Sequence, residues 1–254
     1  MAYQIFKPIA SVQGALFDMD GVILDSEGLY TRFWREAAAA FGYDMSYTQA
    51  IGLRGLNRET AARQLEGYFG PGVDYIQVRN KRTELMDAFV GSDSIPPKPG
   101  IHTLLDALKN AGIPTAICTA SPRERVKKYL DPIGLFDRFD AIVTTYDVQN
   151  GKPAPDIYLK GAEVLGVHPC RCIAMEDSKA GLLSASSAGC MTIMVPDQDQ
   201  PDEEDLHRIH ALCDSLTDVV GLIGHSPLSY YSPADVSTCL HRHGVKLLRA
   251  GRKE

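Results

Sequence analysis

The stretch that most constrains the fold of this chain is Gly14-Ala-Leu-Phe17-Asp18-Met19-Asp20-Gly21. An apolar run ends abruptly in two carboxylates two residues apart, followed by a glycine. A short unbroken apolar run is the pattern of a strand buried on both faces, as in a parallel sheet. Carboxylates just beyond such a strand fall at its carboxyl end, where open α/β sheets bind ligands. If the chain stays extended, residues 18 and 20 point to the same side. Two anions so placed repel unless a cation or a shared proton relieves them. Mg²⁺ fits that need, because carboxylate oxygens are its preferred ligands. An acidic turn is the plainer alternative, since Asp and Gly are common turn residues.

Three later segments bear on that choice. Ala116-Ile-Cys-Thr119-Ala120-Ser121 is a second apolar run, ending in a hydroxyl. It is followed by Pro122-Arg123-Glu124, so Ser121 reads as the N-cap of a helix with Pro at its first position. A helix N-terminus of that kind suits a phosphate. In Gly151-Lys152-Pro153-Ala154-Pro155 the prolines hold a lysine in a stiff, extended loop, where it can balance nearby carboxylates. Cys172-Ile-Ala-Met175-Glu176-Asp177-Ser178 is a third apolar run, ending in paired acids ahead of a helix rich in small residues. Each segment has an ordinary explanation by itself: a strand end, a solvated lysine, an acidic helix start. All four occur in order, each at the end of a strand.

In that combination the four segments resemble the haloacid dehalogenase-like phosphotransferases, over roughly residues 12 to 224. The branch most similar contains the β-phosphoglucomutases and sugar phosphatases with a helical cap. The resemblance implies an α/β fold, a Rossmann-like parallel-sheet core with an inserted all-helical cap. It implies Mg²⁺-dependent phosphoryl transfer with Asp18 as nucleophile and Asp20 as general acid and base. Thr119, the Ala120 N–H, Ser121 and Lys152 would bind the transferring group. Asp18, the Asp20 carbonyl, Glu176 and Asp177 would hold the metal, Glu176 directly or through water. Haloacid dehalogenases lack the second acid, phosphonate-cleaving members carry alanine there, and ion-pumping ATPases read Asp-Lys-Thr-Gly, so Asp18-Met-Asp20-Gly21 sets those branches aside.

The bulk properties agree with an enzyme of that kind. With 254 residues and a formal charge of -6, the chain lacks the basic excess of a nucleic-acid binder. No apolar run approaches the ~18 residues of a membrane span, and the N-terminus lacks a signal-peptide pattern. Six scattered cysteines form no disulfide framework, which together with the missing signal suggests reduced thiols and a cytoplasmic location. A monomer acting on a small phosphorylated substrate is the expected state.

Residues 27 to 94 read as helix throughout. Tyr30, Phe33, Trp34, Ala37 and Ala38 fall on one helical face. Ser46-Tyr-Thr-Gln49 is a capping box, Asn57 caps a third helix, and a fourth spans about 74 to 90. Gly52-Leu-Arg54-Gly55-Leu-Asn57-Arg58 brackets a cation with glycines, so Arg54 and Arg58 are candidate substrate contacts. The expected organisation is a core of residues 1–26 and 95–225, a helical cap of 27–94, and an extension of 226–254 outside the family pattern. In the core, strands are expected at Pro114–Cys118, Ala141–Thr144, Cys172–Met175 and Met191–Val195, and a helix from Glu203 to Leu212. Ser232 to Asp235 could cap one more helix, with His241 and His243 unremarkable beside it.

Two enzymatic readings remain on sequence: a phosphatase acting on a small phosphorylated metabolite, and a β-phosphoglucomutase-like mutase. Tyr30 and Arg123 stand where the mutase has histidine and asparagine, which favours the phosphatase. A catalytically idle Mg²⁺-binding interaction protein is a third reading, disfavoured by the intact acids.

Overall fold

A computed structural model describes residues 3–54, 56 and 58–224. Asn57, Cys239, His241, His243 and the expected helix after Ser232 lie outside the described residues. The chain begins with β1 (Tyr3–Ile5) and β2 (Gly14–Phe17), then runs through four helices: α1 (Glu27–Ala39), α2 (Tyr47–Ile51), α3 (Arg58–Phe69) and α4 (Tyr75–Ser92). Alternation follows: α5 (Ile101–Asn110), β3 (Thr115–Thr119), α6 (Arg123–Leu130), β4 (Ala141–Thr144), α7 (Asp156–Val164), β5 (Cys172–Glu176), α8 (Lys179–Ser187), β6 (Met191–Met194), α9 (Glu203–Arg208), β7 (Ala211–Cys213) and α10 (Leu216–Gly224).

The seven strands form one sheet in the order β1-β7-β6-β5-β2-β3-β4. Every pairing is parallel except β1 with β7. Every residue of β2, β3, β5 and β6 is buried, as expected of strands covered on both faces. One face packs Phe17, Ile117, Ile173 and Ile193 against Leu104, Leu108, Val126 and Val219. The other packs Leu16, Ala116, Cys118 and Ala174 against Ile157, Tyr158, Ala162 and Ala185. From β2 the chain adds β3 and β4 on one side, then crosses back to lay β5, β6 and β7 on the other. The strand order therefore reverses between β2 and β5, the point where a crevice opens at the carboxyl ends of the strands.

The helical insertion has its own core. Trp34, Ala37, Met45, Ala50, Leu53, Leu65 and Val78 pack together, and Trp34 stacks on Tyr75 at 6.1 Å. The capping box at Ser46 forms as expected, with Ser46 Oγ accepting from the Gln49 N–H at 3.2 Å. Asp74 caps α4 in the same way, accepting from Gln77 N.

Three local expectations are corrected. Helix α6 begins at Arg123 with Pro122 as its N-cap, and Ser121 makes no cap bond. The expected helix from Glu203 to Leu212 ends at Arg208, where Ile209 turns extended and the chain enters β7. The N-terminal residues, for which no strand was expected, form β1 beside β7. The β1 edge is only three residues long and partly exposed, so it leaves no periodic apolar signal.

Candidate active site

Register assembles the site. Phe17 pairs with Met175 on one side and Ile117 on the other. Asp18, just past β2, and Glu176, the last residue of β5, therefore lie side by side at the carboxyl edge of the sheet, with Thr119 at the end of β3 two residues beyond Ile117. Asp18 N–H donates to the Met175 carbonyl at 3.1 Å, which prolongs the ladder by one rung. Residues 19 to 24 then fold into a tight turn, in which Gly21 N–H donates to Leu24 O at 2.9 Å. Gly21 has φ +83°, and a Cβ there would overlap the Asp177 carboxylate. Only glycine allows this turn to press against that acid.

Asp18, Glu176 and Asp177 are all buried, and each offers an oxygen within 4.8 Å of the others. Lys152 lies between two of them, donating to Asp18 Oδ1 at 2.7 Å and to Glu176 Oε1 at 2.5 Å. Tyr158 Oη also donates to Glu176 Oε1, and Ser178 Oγ donates to Glu176 Oε2 at 3.2 Å. Both oxygens of Glu176 are thus engaged, and it acts as the anchor for Lys152. Helix α8 can pass this close because residue 181 is glycine: a Cβ there would collide with the Glu176 carboxylate.

Asp20 faces a different set of partners. Its oxygens accept from Ser26 Oγ at 2.8 Å and from Ser121 Oγ at 3.3 Å. Ser26 occupies the N-cap position of α1 yet makes no cap bond, because its hydroxyl is committed to Asp20. Ser121 N–H donates to Thr119 Oγ1 at 3.0 Å, which fixes the buried threonine at the end of β3. Ala120 sits exposed at the same turn.

The insertion contributes Arg54. Its Nε donates to Glu27 Oε2 at 2.6 Å and its Nη2 to Asp177 Oδ2 at 3.3 Å, and Nη1 lies 3.5 Å from Asp199 Oδ1. Arg58 is exposed at the start of α3, on a cleft lined with Glu59, Arg63, Glu66 and Asp74, with none of the strand-end residues on its wall. Arg123 turns away as well, donating to the Ile142 carbonyl at 2.6 Å. Sequence patterns gave no reason to single out Ser26, Glu27, Tyr158 or Ser178. Ser26 reads as an ordinary cap, and Tyr158 as one more apolar position on α7.

The electrostatics of this cluster are unbalanced. Burial, with Glu176 and Asp20 adding to it, lifts the Asp18 carboxyl above its usual range, and Lys152 opposes the lift. Burial also raises Asp177 well above the carboxylate range, helped by Glu176 and Asp18 and opposed by Arg54. Burial lowers the Lys152 ammonium, but Asp18 and Glu176 outweigh it and hold the group above its normal value. Burial raises Asp20, partly offset by the Ser26 hydrogen bond and by Arg125. One lysine and one shared arginine face a concentration of negative charge that a divalent cation would relieve. The donor set is all oxygen, as a hard ion requires, so the residues present fit Mg²⁺.

Among known proteins, a family model described as haloacid dehalogenase-like hydrolase matches residues 12–189. The phosphorylated carbohydrates phosphatase of Thermotoga maritima is 29% identical over 232 residues, spanning 90% of this chain and 98% of that one. The fructose-1-phosphate phosphatase of Escherichia coli is 32% identical over 178 residues, spanning 69% of this chain and 92% of that one. The crystal structure of a β-phosphoglucomutase from Clostridium difficile superposes with a TM-score of 0.67 at 23% identity, covering 92% of this chain and all of that one, which is a likeness of fold.

Proposed function

Because the chain belongs to the haloacid dehalogenase-like hydrolases, we propose that it is a Mg²⁺-dependent phosphatase that hydrolyses a sugar phosphate, or the phosphate ester of a similar polyol, through a phosphorylated Asp18. As a phosphoric monoester hydrolase it must move a phosphoryl group from an alcohol to water. The observation that carries the reading is the division of labour between the two acids of the first motif. Asp18 is buried beside Lys152, Glu176 and Asp177, whereas Asp20 is held apart by two hydroxyls.

Asp18 attacks phosphorus and becomes the acyl phosphate, as carboxylate nucleophiles do. Its approach is fixed by Lys152, which Glu176 and Tyr158 hold in place. Lys152, the Thr119 hydroxyl and the Ala120 N–H surround the transferring group and stabilise the charge on its equatorial oxygens. Asp18, Asp177 and the Asp20 carbonyl would hold Mg²⁺, which when bound offsets the repulsion between the carboxylates and the phosphoryl oxygens. Burial keeps Asp20 protonated to a higher pH than a free aspartate. It can therefore give its proton to the departing alkoxide, and then take one from the water that attacks phospho-Asp18. Ser26 and Ser121 keep its carboxyl directed to that task.

Residues 27–94 act in this account as the cap that closes over the substrate and excludes water. The contact supporting this is Arg54, which ties the insertion to Asp177 and Asp199. The names of the two phosphatase relatives support a phosphorylated carbohydrate as substrate. Arg123, bonded to a β4 carbonyl, does not bear on the choice between phosphatase and mutase; Tyr30, within electrostatic reach of Asp20 where the mutase has histidine, does. The test is a panel of sugar and polyol phosphates with Mg²⁺, assayed for released phosphate. A parallel assay follows conversion of β-glucose 1-phosphate to glucose 6-phosphate with a bisphosphate primer. Phosphate release supports the reading; efficient conversion without release would replace it with the mutase.

A further inference from the structure

Arg54 draws on a carboxylate that belongs to the proposed metal site. Its Nε donates to Glu27 Oε2 at 2.6 Å, whereas its Nη2 reaches Asp177 Oδ2 only at 3.3 Å, long for a bond between charged groups. Nη1 lies 3.5 Å from Asp199 Oδ1. That is ion-pair distance, yet Nη1 is fully buried and makes no hydrogen bond. A buried N–H without an acceptor is costly. The guanidinium is thus held firmly by Glu27 and divided between two acids, closely bonded to neither.

The second acid sits in a segment that already grips the insertion. Asp197, Gln198 and Asp199 follow β6. Asp197 Oδ1 accepts from Lys98 Nζ at 2.9 Å, on the stretch of chain that returns from α4 to the core. Gln198 Oε1 accepts from Tyr47 Oη at 3.0 Å, at the start of α2. Asp199 faces Arg54, three residues past the end of α2. Of these three consecutive contacts, the one at Asp199 is not closed by a hydrogen bond. Charge decides which acid Arg54 prefers. Asp177 is one of the three carboxylates that fit a divalent ion, and Asp199 is not. A donor on a ligand carboxylate draws charge away from it, and two cations on one buried carboxylate repel each other.

We propose that Arg54 has two stations, and that metal binding at Asp177 hands it over to Asp199, closing the Nη1 contact and fastening the insertion to the 197–199 segment. The metal and Arg54 are antagonists on Asp177, and the coupling between them is reciprocal. The handover rests on the proposed metal site, but not on the phosphatase chemistry, so it can be measured without substrate.

Calorimetric titration of the metal-stripped, full-length protein with Mg²⁺ reads the coupling, with binding that survives Asp177→Asn taken as background. Arg54→Gln removes the competing charge and should tighten Mg²⁺ binding by about fivefold or more. Asp199→Asn removes the receiving acid and should weaken it by about threefold or more. In the double variant the Asp199 change should alter affinity less than about 1.5-fold, because its effect passes through Arg54. Arg54→Lys keeps the charge and should stay within about twofold of the wild type. Unchanged or weaker binding in Arg54→Gln would overturn the proposal, because Arg54 would then orient Asp177 for the metal. So would an Asp199→Asn effect of equal size with and without Arg54, because Asp199 would then act on the metal by charge alone. If Arg54→Gln does not fold, amide exchange in the wild type decides. Mg²⁺ should slow exchange across residues 47–54, and Asp199→Asn should abolish the slowing; exchange indifferent to Mg²⁺ would overturn the handover. A wild type that binds no Mg²⁺ above background would remove the metal site and the handover together. Binding with equal affinity in all the Arg54 and Asp199 variants would remove the handover alone.

Discussion

Gly181→Ala is a substitution for which two physical effects predict opposite signs. Residue 181 lies inside α8, where alanine is ordinarily better than glycine by roughly 0.5–1 kcal/mol. The structure places the Glu176 carboxylate where the new methyl would be, closer than Cβ atoms approach real neighbours. Glu176 is fully buried and bound to Lys152, Tyr158 and Ser178. To make room it must retreat, loosening hydrogen bonds to charged groups that contribute about 1.5–3 kcal/mol each. Overpacking of this kind costs about 1–3 kcal/mol. Subtracting the helix gain of roughly 0.5–1 kcal/mol leaves a net loss of up to about 2.5 kcal/mol in urea unfolding. The effect on turnover should be larger, because Lys152 moves with its anchor. A misplacement of about 1 Å in such a site costs on the order of 10²-fold. Stability would be read from the urea midpoint at constant slope, and activity from p-nitrophenyl phosphate hydrolysis with Mg²⁺. A variant more stable than the wild type and equally active would refute both the contact and the anchoring role of Glu176.

The other expectations rest on separate parts of the molecule. Asp20→Ala should slow hydrolysis by roughly 10²–10⁴-fold with alkyl phosphates, and less with a good leaving group such as nitrophenolate; equal losses on both would remove it as the acid. Lys152→Met leaves Asp18 and Glu176 without their shared cation and should cost about 3–5 kcal/mol in denaturant unfolding near neutral pH; an unchanged midpoint would show that the pair contributes nothing. His210 is pushed down to about 4 by burial, with Lys7 adding to it, and its Nδ1 accepts the Thr192 N–H at 3.2 Å, which requires the neutral ring. A lowered folded-state value means that the unfolded chain binds the proton first. Its contribution is therefore complete above the unfolded value of about 6.5 and lost as pH falls towards 4, at most about 3 kcal/mol. His210→Asn keeps an acceptor and should flatten the wild-type slope over that window; parallel curves would contradict this.

The strand ends that make up the candidate site were legible because each polar group there interrupts a strong pattern. Asp18, Thr119 and Glu176 each end an apolar run, at the carboxyl edge of the sheet where charged and hydroxyl groups can meet a ligand. The alternation after Gly100 likewise fixed the parallel sheet. What sequence concealed was geometry that overrides a local rule. Ser26 has the type and position of a helix cap, and nothing nearby shows that its hydroxyl goes to Asp20 instead. Tyr158 reads as a core position because its ring is one; the phenol reaches Glu176 only through the packing of α7 on the sheet. Gly181 looks like a defect in a helix of small residues until the carboxylate beneath it is seen. Strand β7 lacked contrast with the helix before it, since Ile209, Ala211 and Leu212 continue an apolar spacing into a three-residue edge. Arg58 shared with Arg54 a place in a suggestive loop, but helix α3 carries it to an exposed cleft while Arg54 turns towards Asp177.

The central claim is that phosphorus is bonded to Asp18 during turnover. Acid quenching in the steady state, borohydride reduction of any acyl phosphate and peptide mass spectrometry test it directly, because reduction converts a phosphorylated aspartate to homoserine. The account predicts homoserine at position 18 only when Mg²⁺ and a hydrolysable ester are both present, and none when EDTA is added. It also predicts that Asp18→Asn gives neither homoserine nor turnover. Full hydrolysis with residue 18 unmodified, or with the label on another carboxylate, would contradict it.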